Sequence, residues 1–129
     1  MELKRILHAD DDPDIREIVQ MSLDFFGDFE LLQFPDGASA FEAFQDFKPQ
    51  LLLLDYMMPG MTGPELWQNI AKVEGYDRIP AIFLTAKAEA SVSEVLMLKG
   101  AAAVILKPFT PDTLVKEIQS IWESWNAKR

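Results

Sequence analysis

The sequence predicts an α/β protein: an open, parallel, five-stranded sheet with five helices over both faces, three layers in all. Three observations predict it. Short aliphatic runs alternate strictly with amphipathic stretches along the chain. The run Gln50–Leu54 is almost continuous in leucine, as a central strand buried on both faces requires. Gly, Pro and Asp residues stand at the junctions between runs, where turns and caps need them.

Arg5–Ala9 reads as the first strand and leads into a run of acids. Pro13–Phe26 follows as a helix, with apolar residues at 15, 18, 19, 23 and 26 marking its inner face. Asp12 before Pro13 gives it a cap and a pre-set first residue, and Gly27 a stop. Phe29–Phe34 is the second strand. Asp36–Phe47 is the second helix, patterned on Ala38, Phe41, Ala43 and Phe44 and closed before Pro49. Gln50–Leu54 is the third strand. Pro59-Gly60 and Gly63-Pro64 punctuate a loop, after which Glu65–Val73 resumes as helix. Ala81–Leu84 is the fourth strand, and Ser91–Lys99 a helix stopped by Gly100. Ala103–Leu106 is the fifth strand. Pro111–Trp125 is the last helix, striped by Leu114, Ile118, Ile121 and Trp125.

Bulk properties narrow the function. A chain of 129 residues fits one domain, expected to span residues 1–129, and is long enough to bury a core without a structural metal. Hydrophobic residues at 49% and charged residues at 26% suit a globular protein. With no cysteine there is neither a disulfide nor a thiolate metal site. Apolar runs such as Leu51–Leu54 and Ala101–Leu106 fall far short of the roughly 20 residues that cross a bilayer. The N-terminal stretch is too short for a signal peptide. A cytoplasmic protein with no membrane contact is expected. Net charge is −9, from 21 acidic and 12 basic residues, which argues against direct nucleic-acid binding.

In a sheet of this kind ligands bind beyond the carboxyl ends of the strands. The first strand leads into Asp10-Asp11, the third into Asp55, the fourth into Thr85, and the fifth into Lys107-Pro108. Taken singly, each has a bland reading: Asp10–Asp12 as capping acids, Asp55 as a turn former, Thr85 as a surface hydroxyl, Lys107 as a solvated charge. Taken together they meet at one edge. Three converging carboxylates repel one another and call for a hard divalent cation; Mg²⁺, which favours carboxylate oxygen, water and phosphate, suits them. Lys107 and Thr85 then offer a cation and a hydroxyl to an anion bound at Asp55, the arrangement that phosphoryl transfer needs. Asp55 is the candidate nucleophile. The lone histidine, His8, lies inside the first strand and reads as structural or peripheral, although it alternates with Asp10 and so shares its side.

These segments resemble a known family, the receiver domain of two-component response regulators, over nearly the whole chain. The resemblance rests on Arg5-Ile6-Leu7 through Asp10-Asp11-Asp12-Pro13; on Leu51–Asp55 with Tyr56-Met57-Met58-Pro59-Gly60; on Ala81–Thr85 with Ala86; and on Gly100-Ala101 through Lys107-Pro108-Phe109. It implies a flavodoxin-like (βα)5 sandwich with strand order 2-1-3-4-5. It implies that Asp55 is phosphorylated, that Asp11 ligates Mg²⁺ directly, and that Asp10 acts largely through a metal-bound water. It implies that Met57 supplies a backbone carbonyl to the metal. Thr85 becomes a switch hydroxyl, with Ala86 beside it in the phosphoryl-binding group, and Lys107 pairs with a phosphoryl oxygen. Pro108 is expected to follow a cis bond.

The resemblance also implies partners. A sensor histidine kinase or phosphotransfer protein would give the phosphoryl group, and a downstream protein would read it. Only Asn126–Arg129 follow the last helix, so a stand-alone receiver, similar to a chemotaxis regulator, is expected; the Trp122 and Trp125 pair fits core packing, or a homodimer contact. One departure stands out. The family's switch aromatic, three residues before the lysine, is Val104 here. Met57 and Lys87, which would flank attacking water, are neither carboxylates nor amides, so slow loss of the phosphoryl group is expected. A docking module indifferent to phosphate would be marked by lost acids or a lost lysine, and all are present. A Mg²⁺-dependent phosphohydrolase needs a second acid two residues after its nucleophile, where Met57 stands.

Overall fold

Each aliphatic run becomes a strand and each amphipathic stretch a helix in the computed structural model, which describes residues 2–86 and 90–128. The elements run β1 (Arg5–Ala9), α1 (Pro13–Phe26), β2 (Glu30–Phe34), α2 (Gly37–Phe47), β3 (Leu51–Asp55) and α3 (Gly63–Ala71). Then follow β4 (Ala81–Ala86), α4 (Ala90–Leu98), β5 (Ala103–Lys107) and α5 (Pro111–Ala127). All strand pairs are parallel, in the order β2-β1-β3-β4-β5. β3 is central and every one of its residues is buried. No helix among the described residues is long and apolar enough to cross a membrane.

Alternation along the strands divides the core in two. Leu7, Ala9, Leu52, Leu54 and Phe83 pack with Ala40 and Phe44 of α2 and Leu66 and Ile70 of α3. Ile6, Leu51, Leu53, Ile82, Leu84 and Ile105 pack with Val19 and Leu23 of α1 and Leu114, Val115 and Ile118 of α5. A fully buried leucine of this kind contributes about 1.5–3 kcal/mol over an exposed one. The leucine run of β3 feeds both halves and anchors the strand that ends in Asp55.

Three helices bury the predicted face but depart from the sequence reading at single positions. In α1 the buried residues are Val19, Ser22 and Leu23; Ile18 and Phe26 are exposed, with Met21 and Phe25 beside them. The Ser22 hydroxyl is satisfied by donating to the Ile18 carbonyl at 2.6 Å, which is why a polar residue can sit on the inner face. In α2 the inner face is Gly37, Ala40 and Phe44, while Ala38 is exposed. In α5 Trp122 rather than Trp125 joins the buried stripe, and Trp125 is half-buried.

Helix α3 also begins earlier than its punctuation suggests. Gly63-Pro64 forms its first turn and not a loop. Thr62 caps it reciprocally: the Glu65 amide donates to the Thr62 hydroxyl at 3.2 Å, and the Thr62 amide donates to Glu65 Oε1 at 2.9 Å. Gly63 is required there. A Cβ on it would collide with the Asp55 carbonyl oxygen and crowd the Phe83 ring. The close approach lets the Gly63 amide donate to the Tyr56 carbonyl at 3.0 Å, fixing the loop that leaves β3.

Candidate functional site

The carboxyl ends of β1, β3 and β5 carry the acids and the lysine to one place. β1 and β3 are neighbours, with Ala9 opposite Leu54, so the residues that follow Ala9 stand beside Asp55. One oxygen from each of Asp10, Asp11 and Asp55 can be chosen so that all lie within 4.8 Å of one another. Asp10 and Asp55 are buried and Asp11 is exposed. Lys107 reaches in from β5. Its Nζ donates to Asp55 Oδ1 at 3.1 Å and stands 3.4 Å from Asp10 Oδ2.

Local structure sorts the three consecutive acids. The Asp10 amide donates to the Phe34 carbonyl at 3.0 Å, extending the β1–β2 pairing by one residue. Asp10 Oδ1 accepts from the Asp12 amide at 3.0 Å. Asp12 itself caps α1, accepting from the Asp14 amide at 2.9 Å, as the capping reading has it. Asp10 and Asp11 are left to the site.

Charges follow from burial and neighbours. Burial, then the negative charge of Asp10, pushes the Asp55 carboxyl up to about 7, against the pull of Lys107. Burial also works to raise Asp10. The His8 ring and the Asp12 amide outweigh it, with Lys107 adding to them, and Asp10 lies below the usual carboxylate range. Lys107 loses basicity to burial and regains more from Asp10 and Asp55, so it is raised and stays charged. Between two buried carboxylates sharing one lysine, the environment favours the charge on Asp10 and protonation of Asp55.

The remaining predicted residues stand around this centre. Thr85 is buried near the end of β4, and Ala86 ends that strand exposed, paired in register with Lys107. The Lys107-Pro108 bond is cis. Met57 follows Asp55 by two residues with its side chain exposed. Val104 is half-buried against the core on the α2–α3 side of the sheet, and Phe109 packs against the core on the α1–α5 side. Lys87 lies outside the described residues.

A group that sequence reasoning set aside belongs here. His8 is fully buried within β1, not peripheral, and its Nε2 stands 3.8 Å from Asp10 Oδ2. Burial lowers its basicity more than Asp10 restores it, so the ring is neutral. Gln33, directly opposite on β2, donates through Nε2 to His8 Nδ1 at 3.0 Å. The alternation of His8 with Asp10 was the available signal; the register that brings Gln33 alongside was not readable.

The donor set suits a hard cation. Three carboxylates face one lysine, burial and then the charge of Asp10 push the Asp55 carboxyl up to about 7, and Asp10 Oδ2 is buried without a hydrogen bond among the described residues. A divalent ion bound to oxygen would relieve all three.

The family model described as the response regulator receiver domain matches residues 6–119. The chain is 37% identical over 118 residues to the phosphate regulon transcriptional regulatory protein PhoB of Pseudomonas aeruginosa, covering 92% of this chain and 51% of that protein. It is 36% identical over 118 residues to the DNA-binding response regulator MtrA of Mycolicibacterium smegmatis, covering 91% and 50%. The chain thus spans about half the length of these curated relatives. It also resembles the solved structure of the chemotaxis response regulator CheY4 of Vibrio cholerae. The TM-score is 0.83 at 28% identity, over 93% of this chain and 99% of that one.

Proposed function

The chain belongs to the response regulator receiver domains of two-component signalling, and from that premise we propose that residues 1–129 act as one such domain, with Asp55 accepting a phosphoryl group in a Mg²⁺-dependent reaction. The observation that carries the proposal is the meeting of Asp10, Asp11 and Asp55 within 4.8 Å, with Lys107 Nζ 3.1 Å from Asp55. Asp10, Asp11, Asp55 and the Met57 carbonyl would hold the ion. Bound there, Mg²⁺ supplies positive charge that keeps Asp55 ionised and balances the charge of the incoming group.

The chain's own groups do the rest. An Asp55 carboxylate oxygen attacks phosphorus. The bond from phosphorus to the donor's imidazole nitrogen breaks, and its electron pair leaves on that nitrogen, which takes up a proton. Lys107 moves from the carboxylate to a phosphoryl oxygen, and the Thr85 hydroxyl donates to another. Ala86, beside Thr85 and opposite Lys107, contributes backbone alone. The donor is a sensor histidine kinase or phosphotransfer protein, and a protein partner reads the result. The chain is a signalling domain that supplies the catalytic groups for its own modification, in the cytoplasm. Its −9 charge supports protein partners over direct contact with nucleic acid.

Incubation with acetyl phosphate and Mg²⁺, read by intact mass, tests this. Wild type is expected to gain one phosphoryl group and Asp55→Asn none. A wild type that gains nothing favours a phosphate-independent docking module instead.

A further inference from the structure

Asp10 Oδ2 and His8 Nε2 are both buried, both without a hydrogen bond among the described residues, and face each other at 3.8 Å. That is too long for a hydrogen bond and short enough to close by a small movement. Whether the two atoms match depends on which ring nitrogen carries the proton, and the surroundings decide this.

The decision starts at the Arg16 carbonyl. Gln33 Nε2 lies 2.7 Å from it, so that atom is the amide nitrogen; an oxygen there would face another acceptor. The second hydrogen of the same nitrogen goes to His8 Nδ1 at 3.0 Å, which must accept it. A neutral ring that accepts at Nδ1 carries its proton on Nε2. The proton therefore points at Asp10. The circuit returns to its start, since Arg16 Nη1 donates to the Asp10 carbonyl at 2.7 Å. Asp10, His8, Gln33 and Arg16 form a polar circuit joining β1, β2 and α1, hydrogen-bonded throughout except across the 3.8 Å gap between His8 Nε2 and Asp10 Oδ2.

Among the described residues, Asp10 Oδ2 also has a cation beside it, Lys107 Nζ at 3.4 Å, which serves Asp55 as well. A phosphoryl group on Asp55 would draw Lys107 to itself and leave the His8 Nε2–H as the hydrogen-bond donor within reach of Oδ2, where it would support Asp10 as a ligand. We infer that His8 is a positioning residue for the site: with its tautomer set by Gln33, its Nε2–H is the buried donor that closes onto Asp10 Oδ2 when Lys107 turns to the phosphoryl group. This deepens the reading of Asp55 as phosphoryl acceptor and rests on it.

Two-bond ¹H–¹⁵N correlation spectra of the imidazole test it in the full chain, free, with Mg²⁺, and with Mg²⁺ plus beryllium fluoride as phosphoryl analogue. His8 is expected to be the Nε2–H tautomer throughout, with its Nε2 proton moving downfield when the analogue binds. Gln33→Leu, which leaves the acid cluster intact, is expected to mix the tautomers. Both Gln33→Leu and His8→Leu are expected to weaken Mg²⁺ binding, His8→Leu by on the order of 10-fold, as loss of a carboxylate's supporting hydrogen bond does. A wild-type Nδ1–H tautomer, or an Nε2 proton that does not respond to the analogue, or unchanged Mg²⁺ affinity in both variants overturns the inference. Mass gain on wild-type Asp55, measured separately, distinguishes that failure from failure of the acceptor reading.

Discussion

A carboxyl pushed up to about 7 is a poor nucleophile at neutral pH, since about half of it carries a proton. Asp55 is in that condition because it is buried beside Asp10, with one lysine shared between them. The same burial has a thermodynamic consequence. The folded state binds the Asp55 proton more tightly than the unfolded chain, whose carboxyl titrates near 3.8. Asp55 therefore costs nothing below that value, and its cost grows as pH rises to about 7, where it is complete. Asp55→Asn keeps the shape and an acceptor for Lys107 but abolishes the titration. In chelator, the variant is expected to be more stable than wild type at about pH 7.5 by on the order of 2–4 kcal/mol, with the gap closing near pH 4. Urea midpoints at the two pH values measure this, and a gap that does not change with pH refutes it.

At the scale of elements, the junction of β3 with α3 sets the position of Asp55. Gly63 lets the helix begin against the Asp55 backbone, and any Cβ must push that backbone or the Phe83 ring aside. Gly63→Ala is expected to destabilise the chain by about 1–3 kcal/mol, the usual cost of forcing an added carbon into packed surroundings. It should also slow acetyl phosphate labelling of Asp55 by displacing the nucleophile. An unchanged urea midpoint together with an unchanged labelling rate would count against Gly63 as the element that fixes Asp55. This junction also shows where sequence reading stops. The order and type of all the elements were legible, because aliphatic runs and amphipathic stretches differ in period. Gly63-Pro64 was read as loop because both residues break helix interiors, yet both suit a first turn closed by the Thr62–Glu65 box. Ile18 and Phe26 were misplaced on the inner face of α1 because the helix carries two apolar stripes. Val19 and Leu23 pack inward, while Ile18, Met21 and Phe25 face out, and period alone does not say which stripe meets the sheet. The acids and the lysine were legible because they sit at strand ends, where any parallel sheet gathers its ligands. The His8–Gln33 pair was not, since it depends on which β1 residue lies opposite which β2 residue.

Across the whole molecule, the acid cluster exists only when the chain is folded. Asp10 and Asp11 follow β1 and Asp55 ends β3, and nothing but the sheet brings them together. In the unfolded chain they are separate carboxylates with slight affinity for a divalent ion. A cation that binds only the native arrangement must stabilise it, by about 2.7 kcal/mol at one hundred times its Kd. The −9 net charge adds a background effect, because any salt screens self-repulsion and gains some stability without occupying a site. The two are separable. At equal ionic strength, MgCl₂ is expected to raise the urea midpoint of wild type above its value in NaCl, and to keep raising it with the logarithm of concentration once the site is saturated. Asp10→Asn combined with Asp11→Asn removes two of the three site carboxylates, and its midpoint should then be the same in either salt. If Mg²⁺ moves the midpoint of that double variant as far as it moves wild type, the ion is acting on overall charge, and the three strand-end acids are not its site.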